Sequence, residues 1–122
     1  MEINVRDGQN HHENITIFEV VGRVTSDNAA ELGAALDGVV NDGRTNLVVD
    51  LSGIEYMSSA GLREMVRVLK RVKHSGGDLR LCALSSDAQR VFNLAGLISE
   101  KENPLPGKFK VYPSLVEAVG SF

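Results

Sequence analysis

The 122-residue sequence has no tryptophan, only three prolines and a single cysteine, Cys82. One cysteine excludes an intrachain disulfide and a thiolate zinc cluster. No run approaches the 18 apolar residues of a membrane span. The start, Met1 to Asp7, lacks a basic region followed by a long apolar run, so no secretory signal is expected. The expected compartment is the cytoplasm, where the sequon Asn14-Ile15-Thr16 carries no meaning. Positive charge is not in excess: 13 Lys and Arg face 16 Asp and Glu, a net charge of −3. That balance argues against a dedicated nucleic-acid binder. There is no Gly-x-Gly-x-x-Gly and no phosphate-loop spacing before Gly107-Lys108, so no nucleotide cofactor is expected. A hydrolase nucleophile elbow needs Gly-x-Ser-x-Gly; Ser59 has Gly61 two residues after it but Met57 two before, and the elbow fails.

What is present is ordinary globular usage, 43% hydrophobic and 24% charged. Residues 1–122 make one domain, long enough to bury roughly two-thirds of the unfolded surface without staples. Ile3 and Val5 alternate with polar residues as a short first strand, and Asp7-Gly8 reads as a turn. Ile15 to Val24 is β-branched and aromatic-rich, with Ile15, Ile17, Glu19 and Val21 on one face and Thr16, Phe18 and Val20 on the other. The two make a hairpin with a connection of about eight residues. Asn28-Ala29-Ala30-Glu31 has capping-box spacing, followed by a helical stripe of Leu32, Leu36, Val39 and Val40 that ends at Asp42-Gly43. Leu47 to Leu51 is a nearly continuous apolar strand of interior type.

Ser58-Ser59 precedes a second helix over about 60–74, with Leu62, Met65, Val66, Leu69 and Val72 on one stripe and Gly76-Gly77 as its stop. Leu79 to Leu84 is the next strand. Ser85 or Ser86 caps a third helix bearing Ala88, Val91, Phe92 and Ala95, with Gly96 placed as a C′ glycine. Pro104 to Gly107 is a loop, Phe109 to Tyr112 a short last strand, and Ser114 caps a final helix through Val119. Strands alternating with helices predict an α/β fold with a mostly parallel sheet of four to five strands and about four helices.

Several residues invite a chemical reading. His11-His12-Glu13 offers ligand types, but adjacent side chains rarely converge on one metal, and no metal site is expected. His74 suits the negative end of a helix dipole. Cys82 alternates with Leu81 and Ala83 as a buried strand residue. The second helix carries Arg63, Arg67, Lys70, Arg71 and Lys73 against Glu64, a local charge of +4 in an acidic chain. It is either a solvated face or a patch for an acidic partner.

In open α/β sheets, ligands and partners meet the loops at the carboxyl ends of strands. Those loops are Arg23 to Asp27, Ser52 to Ser59 and Ser85 to Asp87, all rich in hydroxyls. The middle one delivers Ser58 and Ser59 to a helix N-terminus. Serine there is a favoured cap, worth about 1 kcal/mol. It is equally a place where a phosphoserine leaves the helix intact, because unpaired N–H groups and the dipole accept the charge.

The stretch Val49-Asp50-Leu51-Ser52-Gly53-Ile54-Glu55-Tyr56-Met57-Ser58-Ser59-Ala60-Gly61-Leu62 resembles the signature of STAS domains, specifically the bacterial anti-sigma factor antagonists. Gly22-Arg23-Val24, Asn28 to Leu32, Gly76-Gly77-Asp78-Leu79 and Ser86 to Leu97 resemble further family segments in the right order. The resemblance implies a βα superhelix with helices mainly on one sheet face. It implies a protein that is not an enzyme. Its partner would be an anti-sigma factor, a serine kinase of the histidine-kinase-like ATPase superfamily, bound so that a sigma factor is released. Phosphorylation ends the interaction, and a PP2C-type serine phosphatase restores it. The family's phosphoacceptor is the serine two residues before Gly-Leu, here Ser59, with Ser58 as the alternative.

Partner contacts are expected from Arg23, Thr25, Ser26, Asp27 and Asn28, from Tyr56, Met57, Ser58, Ala60, Gly61 and Leu62, and from Arg63 and Arg67. The sequence departs from the family at Ser58, often Asp, at Ala60, often Ser or Thr, and at Val24-Thr25, where an acidic residue is common. The other reading is a constitutive STAS scaffold in a signalling or lipid-transport assembly, with Ser59 only a helix cap.

Overall fold

β-branched side chains crowd the first quarter of the chain, and they form one long hairpin. The computed structural model describes residues 1–10, 13–99 and 107–122. β1 (Glu2–Asn10) and β2 (Glu13–Val24) pair antiparallel in unbroken register, from Glu2 opposite Val21 to Asn10 opposite Glu13. Asp7-Gly8 is therefore strand and not turn, and only residues 11 and 12, rather than about eight, separate the two strands. Gly8 serves close packing: a Cβ there would come within 2.9 Å of Ile17 Cδ1. Asp7 is held by an ion pair with Arg44, which also reaches the hydroxyl of Thr16 directly opposite.

The remaining elements are α1 (Ala29–Asn41), β3 (Asn46–Asp50), β4 (Ile54–Met57), α2 (Ser59–His74), β5 (Asp78–Cys82), α3 (Ser86–Leu94), β6 (Val111–Tyr112) and α4 (Leu115–Gly120). The sheet runs β1-β2-β3-β5-β6, and β4 pairs with β2 off that path. Every pairing except β1 with β2 is parallel. Six strands thus replace the expected four to five. The addition is β4, inside the stretch read as a loop from Ser52 to Ser59. Its four residues bury Ile54 and Met57 and expose Glu55 and Tyr56, a pattern without the alternation that marks a strand. β4 joins β2 where Gly22, at φ 101°, shifts the register and donates its N–H to the Gly53 carbonyl at 2.9 Å. β5 stops at Cys82 instead of Leu84 because Ala83 turns to φ 53°.

β3 is apolar on both sides because both sides are covered. Phe18, Val20, Leu47, Val49, Leu79 and Leu81 pack with the stripes of α1, α2 and α3 in the larger core. Ile15, Val48 and Cys82 pack with Ala118 of α4 on the opposite face. Three helices on one face and one short helix on the other agree with the expected arrangement. Phe92 of α3 meets Phe109 edge-on at 5.7 Å, which seats α3 beside the bridge between Ile98 and Phe109.

Apart from the start of α1, the helix ends follow the sequence signals. Ser85 accepts the Ala88 N–H at 3.2 Å and Ser114 accepts that of Glu117 at 3.2 Å, as expected of caps. α1, α2 and α3 all close on a left-handed glycine, and the next residue's N–H returns to a carbonyl of the last turn. In α2 that residue is Gly77, whose N–H reaches the Val72 carbonyl at 2.8 Å.

Gly77 also enters β5 against the backbone of Thr45, and a Cβ would lie 2.0 Å from the Thr45 carbonyl oxygen. Gly77→Ala is therefore expected to destabilise the domain by about 2 kcal/mol, through displaced backbone. Gly38→Ala, in α1 with nothing within 4 Å, is expected to stabilise by about 0.5–1 kcal/mol. Urea unfolding of both variants checks the pair; equal effects would contradict it.

A serine pair at the start of α2

α2 begins where β4 ends, and Ser58 fixes the joint three ways. Its N–H donates to the Val24 carbonyl at 2.8 Å, its Oγ accepts the Gly61 N–H at 3.1 Å, and its carbonyl accepts the Leu62 N–H at 3.0 Å. Ser58 is 7% exposed. Ser59, the first helical residue, is exposed, and among the described residues its side chain makes no hydrogen bond. The cap of α2 is thus Ser58 and not Ser59, because only Ser58 has the extended backbone that aims Oγ back at the first turn. Gly61 lets that turn press on the strands: a Cβ would meet Met57 Sδ at 2.5 Å and Val24 Cγ1 at 2.7 Å.

The neighbouring loops converge on this joint. Ser85 Oγ donates to the Ile54 carbonyl at 2.8 Å, tying the third hydroxyl-rich loop to β4. Asn28 stands before α1 but forms no side-chain cap. Its side chain folds back, accepting the Thr25 N–H at 2.8 Å and donating to the Arg23 carbonyl at 2.9 Å. Thr25 Oγ1 takes the Asp27 N–H at 3.2 Å. The expected capping box is absent because the loop uses the Asn28 amide to hold its own shape. Arg23 lies over the Tyr56 ring, 4.7 Å from its centroid.

The expected contact residues therefore divide. Arg23, Ser26, Asp27, Tyr56, Ser59, Arg63 and Arg67 are exposed, and Thr25, Asn28 and Ala60 are half-buried. Met57, Ser58, Gly61 and Leu62 are buried and shape the surface from beneath.

The basic face of α2 is largely neutralised within the fold. Arg67 reaches Asp37 of α1 at 2.7 Å and Glu64 at 2.7 Å, Arg71 reaches Asp37 at 2.8 Å, and Lys73 reaches Asp78 at 3.5 Å. The hydrogen bond from Arg67 holds the Asp37 carboxyl below its usual range against the opposing effect of burial, and Arg71 adds to the effect. Arg67 accordingly joins α1 to α2 and is not a free contact cation. Arg63 and Lys70 have no ion pair among the described residues. They border a shallow groove of about 580 Å³ that runs from Ser59 over Leu62 and Val66 to Ala95 and Leu97. Of the groove's lining, the sequence pointed to Lys70 only as part of the basic face, and it did not mark Val66, Ala95 or Leu97 as contact residues. Val66 read only as part of the core stripe, and Leu97 as the residue after a helix stop.

Other candidates fall away or lie elsewhere. His11 and His12 lie outside the described residues, and among those described no group of three ligand-type side chains could hold a metal. His74 is exposed in the last turn of α2. Cys82 is fully buried; burial, with a smaller effect from the Asp50 carboxylate, pushes its thiol up to about 12, so little thiolate forms near neutrality. No helix among the described residues is long and apolar enough to cross a membrane.

A strand, a helix-capping serine and an exposed serine two residues before Gly-Leu follow one another where the sequence resembled the family signature. The family profile described as STAS domain matches residues 9–118. The chain belongs to the STAS family. Among relatives of this STAS protein, the anti-sigma-B factor antagonist of Bacillus subtilis is 35% identical over 97 residues, covering 80% of this chain and 86% of that one. BtrV of Bordetella bronchiseptica, named as a candidate anti-sigma factor antagonist, is 40% identical over 78 residues, covering 64% and 67%. The crystal structure of an anti-sigma factor antagonist from Mycobacterium paratuberculosis superposes with a TM-score of 0.76 at 25% identity, covering 98% of this chain and 93% of that one.

The two serines of the STAS signature should separate in a stability measurement. Ser58→Ala is expected to cost about 1–2 kcal/mol, since it removes a buried cap and leaves the Gly61 N–H without its acceptor. Ser59→Ala is expected to change stability by less than about 0.5 kcal/mol, since alanine suits the first helical turn. Chemical denaturation reads both; a loss at Ser59 equal to that at Ser58 would contradict the assignment of the cap.

Proposed function

We propose that this STAS protein is an anti-sigma factor antagonist switched by phosphorylation of Ser59. On this reading residues 1–122 act as one domain in the bacterial cytoplasm. The surface around Ser59 binds an anti-sigma factor that is also a serine kinase of the histidine-kinase-like type, and binding releases a sigma factor. The kinase transfers a phosphoryl group to Ser59 Oγ, and a PP2C-type phosphatase removes it. The anti-sigma partner is supported by what the relatives are named; the kinase and the phosphatase rest on the resemblance of the signature.

The observation that carries the switch is the division of labour between Ser58 and Ser59. A modifiable hydroxyl must be reachable, and its modification must leave the fold standing. Ser59 is exposed and holds nothing together, whereas Ser58 is buried and closes the helix. A phosphate on Ser59 adds a charge of roughly −1.5 to −2 at the positive end of a helix dipole, which tolerates it. The same charge lies beside Tyr56, Ala60 and the groove floor, where a docking partner would have to desolvate it. A penalty of only about 2.8 kcal/mol weakens binding roughly a hundredfold.

The test uses wild type, Ser59→Ala and Ser59→Asp as baits in lysate of the source organism, with bound proteins and phosphosites read by mass spectrometry. The expected result is one ATPase-type kinase bound by wild type and Ser59→Ala and lost by about a hundredfold with Ser59→Asp, while circular dichroism stays unchanged. Equal recovery of a partner by all three baits would overturn the switch in favour of a constitutive scaffold.

A further inference from the structure

β1 is the outermost strand of the sheet, and among the described residues no strand pairs with its second edge. Its nine residues contain neither proline nor lysine, two common means of blunting an edge. Glu2 and Arg6 are exposed on it, and neither has an ion pair among the described residues. Val5, between them, is 49% exposed. The register with β2 fixes the faces. Glu2, Asn4 and Arg6 lie opposite Val21, Glu19 and Ile17, on the α4 side; Ile3 and Val5 lie opposite Val20 and Phe18, on the side of α1 to α3.

We propose that this edge is an interface for a second copy of the chain, the two β1 strands pairing antiparallel about a two-fold axis at Asn4. Glu2 of each copy then faces Arg6 of the other, Ile3 faces Val5, and Asn4 faces Asn4. Residues directly opposite in an antiparallel pair lie on the same face, so two ion pairs form on one face and two apolar pairs on the other. Outward-pointing backbone groups occur on every second residue, so a symmetric edge pairing joins positions of the same parity, as this register does. Moving it by two residues one way sets Ile3 against Asp7; moving it the other way sets Glu2 against Asn4 and breaks both ion pairs. The strand is self-complementary in one register, as an isologous two-fold interface requires. The interface uses neither Ser59 nor the groove, so a dimer would carry two copies of the α2 surface. This assignment does not rest on the proposed switch.

Sedimentation equilibrium over about a thousandfold range of concentration tests it, with circular dichroism as the control for folding. Wild type is expected to dimerise as concentration rises. Glu2→Arg and Arg6→Glu are each expected to weaken association by about tenfold or more, because each sets like charges opposite one another twice. An equal mixture of the two variants is expected to dimerise again, since both positions are then basic in one chain and acidic in the other, and each facing pair again joins opposite charges. Wild type that stays monomeric throughout, a dimer indifferent to both reversals, or a mixture that fails to recover would overturn the proposal.

Discussion

Ser58 is the joint on which the candidate site is built. One residue donates to the end of β2, caps the first turn of α2 with its hydroxyl and starts the helix with its carbonyl. Removing any one of these bonds leaves a buried polar group without a partner, a cost of about 1–3 kcal/mol. Gly61 makes the same joint tight from the other side, because only a residue without Cβ fits against Met57 and Val24. With the backbone held at 58 and 61, Ser59 and Ala60 lie on a rigid ledge between them. The exposed hydroxyl is thereby placed without being used structurally.

Charge is arranged with similar economy. A helix with five cations would by itself present a broad basic face. Asp37 of α1 takes two of them and Asp78 a third, and the contact with α1 is close because Gly33 allows Glu64 and Arg67 to lie against it. What remains is Arg63 and Lys70 at the border of an apolar groove that begins at Ser59. On the proposed switch, a negative charge introduced at Ser59 would change this surface far more than the fold, because the buried core lies beneath a joint that Ser58 holds closed.

Much of this was legible in the sequence. The helical stripes, the serine caps at Ser85 and Ser114 and the glycine ends came from local rules that the tertiary fold respects. The order of motifs from Gly22 to Leu97 identified the family. Other features were not legible, each for a physical reason. β4 is too short to alternate: it buries its first and last residues, Ile54 and Met57, and exposes the two between them. Asp7-Gly8 carries the signal of a turn, but Gly8 is required by Ile17 and Asp7 by Arg44, contacts made across the sheet. Ser58 and Ser59 are equal as letters; what separates them is the backbone angle imposed by pairing with Val24. The basic helix looked free because Asp37 lies on another helix, far away in the chain.

The central claim is that Ser59 can carry a phosphate while the domain stays as it is. It is tested most directly by comparing amide chemical shifts of the unmodified protein and of protein phosphorylated on Ser59. The account predicts changes confined to the first turn of α2, the Tyr56 strand end and the groove, with the Gly61 amide still protected from exchange. Shifts spread through β3 and β5, loss of protection at Gly61, or phosphate found on Ser58 would contradict it.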